Sequence, residues 1–257
     1  MQHSTKYVVG FVTALTAIVA VVLSLLFTTW EAQSKVNEAI FNKRAILSAV
    51  TDYLEGEDPE DMEDSRVLEI FDSQVEQKAI RVTGEEVGAE VIQSSGYIGG
   101  KPENIDMAKE KKKDLEDRVF PLYIFNSPKG KLYIVSVRGK GLWDEIWGNV
   151  ALKPDFSTIA GVVFDHKGET PGLGAEIKDN PSFPAKFKGK TFYDANGNYV
   201  GVDVLKGVVR GDDPHNVDGI SGATVTCVGV GEMLQKGIKY YEPYFEKIGK
   251  KNVLGQK

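Results

Sequence analysis

Between Tyr7 and Trp30 the chain carries no charged side chain, whereas later apolar runs are soon cut by polar positions. As a helix the charge-free run spans ~36 Å at ~1.5 Å per residue, and the hydrocarbon core of a bilayer is about 30 Å thick. Tyr7 and Trp30 sit at its two ends, where interfacial aromatics belong. The pattern predicts a short tail over 1–6 and a retained transmembrane helix over 7–30. A cleaved signal peptide has a shorter apolar region, and Ala32-Gln33-Ser34 is a poor cleavage site. Residues 31–55 are predicted to continue as a helix. Its apolar stripe of Val36, Ile40, Leu47, Val50 and Leu54 should pack against the body of the domain. The acidic, proline-containing stretch 55–66 reads as a solvated linker without the spacing of a calcium loop. Beyond it the pattern predicts a short helix over 67–74, a strand over 79–82 and a solvated helix of mixed charge over 107–118. Residues 31–118 thus form a helical, charged, membrane-proximal region.

From Phe120 the period shortens. Leu122–Phe125 and Lys131–Val137 read as strands around the turn Ser127-Pro-Lys-Gly130, and Thr158–Phe164 as another. Thr191–Asp194 and Tyr199–Leu205 flank Ala195-Asn-Gly-Asn198, a hairpin signal, with Lys206-Gly-Val extending the second strand. From Thr224 to Tyr241 only glycines interrupt a helical pattern whose apolar positions include Val225, Val228, Met233 and Ile238. The predicted fold class is α+β: one N-terminal transmembrane helix, then a soluble β-rich domain over 119–248 with flanking helices, and a tail over 249–257.

Charge and composition narrow the function. A net charge of −6 argues against a nucleic-acid surface. One cysteine forms no internal disulfide. His3, His166 and His215 are too scattered for a metal site, and Ser221 lacks the Gly-x-Ser-x-Gly setting of a hydrolase nucleophile. The N-terminal tail holds His3, Lys6 and no acid, while the far side of the apolar run begins with Glu31. That bias places the N-terminus in the cytoplasm and the soluble part outside, in a bacterium the periplasm.

Three glycine-bearing stretches carry the candidate chemistry. Asp218-Gly219 is a turn pair, Ser221 is a favourable N-cap and Gly222 admits backbone angles closed to other residues. The turn delivers Thr224 to the first turn of a helix, where unpaired N–H groups and partial positive charge suit a phosphate. The same residues also describe an ordinary capped helix. Gly139-Lys-Gly-Leu-Trp143 follows a strand, and taken alone Trp143 reads as an apolar plug. Gly168-Glu-Thr-Pro-Gly-Leu-Gly174 is a tight loop able to offer N–H groups. Glu169 and Glu176 are also readable as plain surface carboxylates.

Asp218-Gly-Ile-Ser-Gly-Ala-Thr224 resembles the flavinylation motif of the FMN-binding domain family. The resemblance implies FMN joined by a phosphoester to Thr224, in a motif that also contains Asp218, Ser221, Gly222 and Ala223. Thr226 remains a rival acceptor. The three stretches in this order, behind one span, resemble the C-subunit family of the sodium-translocating NADH:quinone oxidoreductase over most of residues 7–245. The G subunit of the Rnf electron-transfer complex shares the second and third but is usually shorter and lacks the Gly-x-Gly-Leu-Trp form. The resemblance implies an electron-carrying subunit of a six-subunit translocase in the bacterial inner membrane, coupling NADH oxidation and quinone reduction to Na+ export. Its implied partners are the other subunits, an FMN transferase during maturation, and membrane lipid. Trp143 and Leu173 suit the faces of the flavin ring. The loop bearing Glu169, Thr170 and Gly174 suits its polar edge. Lys206 or the helix start at 222–225 can neutralise the phosphodiester. A flavin-free, membrane-tethered assembly factor is the alternative from a different class.

Overall fold

The computed structural model describes residues 4–207, 209 and 212–254. The chain divides into a unit ending at Asn42 and a second from Lys43 onward. The first element is helix α1 (Thr5–Ser48). Its stretch Thr5–Glu31 is long and apolar enough to cross a membrane, reaching ~40 Å at ~1.5 Å per residue. The helix ends at Ser48, short of the expected 55, and the chain turns through a 3-10 segment at Thr51–Tyr53. The expected stripe also divides: Leu47, Val50 and Leu54 are buried, Ile40 is half-buried, and Val36 is exposed. Only its C-terminal part belongs to the folded domain's core.

Next come α2 (Asp64–Gln74), β1 (Val75–Arg81), α3 (Ala89–Ser94) and α4 (Met107–Glu110). The acidic linker is not free. Arg44 donates to the carbonyls of Pro59 and Met62 and pairs with Asp64 at 2.7 Å, and Arg66 pairs with Glu57 at 2.7 Å. The solvated helix expected over 107–118 is α4 followed by a turn. Glu110 at its end points inward, 1% exposed, accepting from Val119 N–H at 2.8 Å and the Tyr97 hydroxyl, with Lys113 Nζ at 2.7 Å. A buried carboxylate needs such partners. Arg118 donates to the carbonyls of Lys111 and Lys113, which closes the turn.

The body is an antiparallel sheet in the order β1-β2-β3-β4-β5, with β2 (Val119–Ser127), β3 (Gly130–Lys140), β4 (Glu145–Leu152) and β5 (Ile159–His166). Alternating side chains pair across it: Ile124 opposite Tyr133, Leu122 opposite Val135, Val135 opposite Val150. These residues form one core face. The other face of β2 is closed by the N-terminal elements, as where Phe71 of α2 meets Tyr123 edge-on. Helix α2 and the cluster of Ile92, Tyr97 and Ile105 cover that face while β1 flanks the strand, so β2 is buried from Val119 to Phe125. Strand β4 has no counterpart in the sequence reading, because Gly148 and Asn149 interrupt its apolar run.

After β5 come α5 (Glu176–Asp179) and α6 (Ser182–Ala185), then β6 (Asp203–Leu205) and β7 (Asn216–Asp218), which pair in parallel. The hairpin expected over 191–205 is therefore corrected. The turn forms, with the Asp194 carboxylate accepting from Asn196 and Asn198 N–H, but only a Tyr193–Tyr199 bridge follows it. β6 is drawn instead to β7. Val208, assigned to the same strand, lies outside the described residues.

α7 (Thr224–Lys239) packs on β3, and α8 (Glu242–Leu254) follows. The packed face of α7 is Thr226, Cys227, Val230, Met233, Leu234 and Ile238. Val225 and Val228, expected on the apolar face, are exposed. Contact with β3 is close: a Cβ at Gly229 would lie 2.2 Å from the Lys140 carbonyl oxygen. That approach fixes the N-terminal end of α7 beside the loop that carries Trp143.

Candidate functional site

The turn between β7 and α7 brings the three glycine-bearing stretches together. Gly222 has φ +83°, and a Cβ there would meet Leu173 Cδ2 at 2.7 Å. The 168–174 loop and the 218–224 turn are thus in contact. The side chain of Trp143 reaches the same loop: its indole N–H donates to Thr170 Oγ1 at 3.1 Å. Trp143 is 66% exposed and Leu173 42% exposed. Trp143, which taken alone reads as an apolar plug, is a surface aromatic.

The N-terminus of α7 is open. Ser221, read as its cap, is exposed and sits within the turn; the cap position is Ala223, and no side chain caps the helix. Its first turn contains no acid. Free N–H groups and the helix dipole therefore remain directed at whatever lies before Thr224. Thr224 is exposed and Thr226 is 1% exposed. The Thr226 hydroxyl donates to Glu169 Oε2 at 2.7 Å.

Glu169 is itself 4% exposed. Its Oε1 accepts from the Trp143 N–H at 2.9 Å and faces that of Asp144 at 3.4 Å. Burial raises its pKa, but the hydroxyl of Thr226 and the amides of Trp143, Asp144 and Leu142 outweigh it and hold the group below the ordinary carboxylate range. Gly174 and Gly141 make room for it. A Cβ at either would stand 2.3 Å and 2.5 Å, respectively, from a Glu169 carboxylate oxygen.

Asp218 does two things. Its carboxylate accepts from Val209 N–H, and its carbonyl accepts from Lys186 Nζ at 3.3 Å. Lys206 is exposed just after Leu205, whose carbonyl accepts from Gly219 N–H at 2.9 Å. Cys227 Sγ accepts from Ile220 N–H at 3.2 Å. Burial pushes its thiol pKa up against the opposing effects of that bond and of Lys186, so Cys227 stays a neutral staple of the turn. Lys186 was not singled out from the sequence. It lies in a lysine-containing segment of no distinctive pattern, and only the fold brings it to the motif.

These residues suit a flavin phosphate. An uncapped helix start and nearby ammonium groups answer an anion. An exposed indole and leucine answer a flat apolar ring. Thr224 at the start of α7 offers an exposed hydroxyl.

The class of domain follows from comparison: residues 141–239 match the family model of the FMN-binding domain, a stretch that includes all three motifs but the first two residues of the first. The C subunit of the Na+-translocating NADH-quinone reductase from Neisseria meningitidis serogroup B is 33% identical over 195 residues, covering 72% of this chain and 74% of that protein. The corresponding Pseudomonas aeruginosa protein is 49% identical over 113 residues, 41% of each chain. The crystal structure of its Parabacteroides distasonis counterpart aligns at 30% identity with a TM-score of 0.68, over 84% of this chain and 96% of that one. Shewanella oneidensis NqrC aligns with a TM-score of 0.64 at 28% identity. The chain belongs to the C-subunit family of the Na+-translocating NADH-quinone reductases.

Proposed function

We propose that the chain is the electron-carrying, FMN-bearing subunit of a Na+-translocating NADH:quinone oxidoreductase, with FMN joined through a phosphoester to Thr224. The observation that carries this reading is an exposed Thr224 at an uncapped helix start, two residues after Gly222, which abuts Leu173 of the loop that Trp143 also reaches through Thr170. Bound FMN supplies one- and two-electron chemistry that amino-acid side chains lack. In this reading Trp143 and Leu173 shield its ring, and the loop bearing Glu169, Thr170 and Gly174 supplies the polar edge. The N–H groups at 222–225, with Lys206 and Lys186, balance the phosphodiester. Covalent attachment fixes the distance to neighbouring carriers in the complex, which a diffusing flavin would not keep. The intact mass of the full chain, purified from cells that contain the flavin transferase, tests it. An increase by one FMN less water is expected; an unmodified mass would favour the flavin-free assembly factor.

The transferase must read the peptide before modifying it. Asp218 is the one charged residue of the motif, and it also pins the preceding loop through Val209. Asp218→Ala is expected to lower the modified fraction while costing about 1 kcal/mol, as for other turn and cap aspartates. Full modification of that variant would remove Asp218 from recognition.

The same reading places the chain in the bacterial inner membrane through Thr5–Glu31, with the tail inside and the FMN-binding domain in the periplasm. Alkaline phosphatase fused to the C-terminus should be active. An inactive fusion, together with an active cytoplasmic reporter at the same site, would reverse the orientation.

A further inference from the structure

The most heavily bonded group at the site is not among those that face outward. Glu169 holds the 142–144 loop through the Trp143 N–H, 2.9 Å from Oε1, and α7 through the Thr226 hydroxyl, 2.7 Å from Oε2. Its own N–H donates to His166 Nδ1 at 3.2 Å, at the end of β5. One side chain therefore ties together the three stretches that bear Trp143, Leu173 and Thr224. Gly141 and Gly174 leave room for its carboxylate, which a Cβ at either position would invade.

We infer that Glu169 is a positioning residue of the flavin site, which locks the three loops in register and keeps a fixed, covered negative charge there. The inference rests on the reading that flavin binds at these loops. Two physical consequences separate it from ordinary structural glue. A covered charge is poorly screened, so it acts on charge that appears nearby. Adding electrons to a flavin is then disfavoured, and the site's midpoint potential is held low. Sequestering the Thr226 hydroxyl also leaves Thr224 as the accessible acceptor.

On the 140–144 loop are Lys140 and Asp144, the latter paired with Lys167 at 3.2 Å. His166 stands at the end of β5. The first turn of α7 contributes no acid, only Thr226 and, beyond it, the neutral Cys227. Because the Glu169 pKa lies below its ordinary value, the stabilisation it gives is fully present above the unfolded carboxylate's pKa. It is lost as pH falls through the lower, folded value.

The test is spectroelectrochemistry of the flavinylated full chain in detergent, comparing Glu169→Gln with the unsubstituted protein across pH. Glutamine keeps an acceptor and removes the charge. A shift of the midpoint potential to more positive values is expected, with flavin still on Thr224. An unchanged potential in a folded, flavinylated variant overturns the inference while leaving the proposed function intact. Absence of flavin from the unsubstituted protein defeats the proposed function itself. Should Glu169→Gln fail to fold, Thr226→Val retains the charge and removes one donor. The acid-side break in its potential–pH curve is then expected to move to higher pH, and a curve that superposes on the parent's overturns the inference.

Discussion

Thr224→Val is expected to abolish covalent flavin while hardly changing stability, and Thr226→Val to do the reverse. Valine has nearly the shape of threonine and no hydroxyl. Thr224 is exposed, so its substitution should cost no more than about 0.5 kcal/mol. Thr226 is 1% exposed and bonded to a carboxylate at 2.7 Å, a bond of a kind that typically contributes about 1.5–3 kcal/mol. In-gel flavin fluorescence at the mass of this chain should vanish in the first variant and persist in the second. Thermal melting should be lowered only in the second. Two residues apart on a helix, the side chains are separated by roughly 200° of rotation at ~3.6 residues per turn. This is why one hydroxyl meets solvent and the other Glu169. Flavin mapped to Thr226, or to neither threonine, would refute the central assignment.

The opposite settings of these two threonines show what the sequence exposes and what it hides. A charge-free run with aromatic ends needs no tertiary information, so the apolar span of α1 was legible, as were β2, β3 and the start of α7. The three glycine-bearing stretches were legible one by one, because glycine marks backbone that bends or approaches closely, and as a set only through the family resemblance. Their mutual contact was not, since it depends on Glu169, whose type suggests a surface carboxylate. Only its enclosure by Gly141, Gly174 and Thr226 makes it a buried one. Lys186 was hidden for the same reason: its contact to Asp218 joins residues far apart in sequence. The segment 107–118 misled because its charges look solvated, while Glu110 turns inward to Tyr97 and Val119. The exposed Val225 and Val228 misled in the other direction. Apolar spacing along α7 alone does not reveal that β3 takes the face bearing Thr226 and Cys227.

Gly174→Ala is expected to damage the site far more than Gly172→Ala, although the two glycines share one loop. Gly172 has φ +74° and open space where a Cβ would go. Alanine there brings only the left-handed backbone penalty, about 1 kcal/mol. Gly174 needs no unusual φ, but its Cβ would stand 2.3 Å from Glu169 Oε2 and 2.7 Å from Thr226 Oγ1. The end of a glutamate side chain ordinarily swings aside at little cost. Here it is held by the Trp143 N–H and the Thr226 hydroxyl, so yielding means leaving buried donors unpaired. Overpacking typically costs about 1–3 kcal/mol and an unsatisfied buried group another ~1–3 kcal/mol. Thermal melting of the full chain should fall by roughly 5–20 °C for Gly174→Ala and by only a few degrees for Gly172→Ala. The Trp143 indole, tied to the same loop through Thr170, should change its fluorescence in the first variant alone. If the two alanine variants melt together with unchanged tryptophan emission, Glu169 is not pinned as its bonds imply, and the loops are held in register by other contacts.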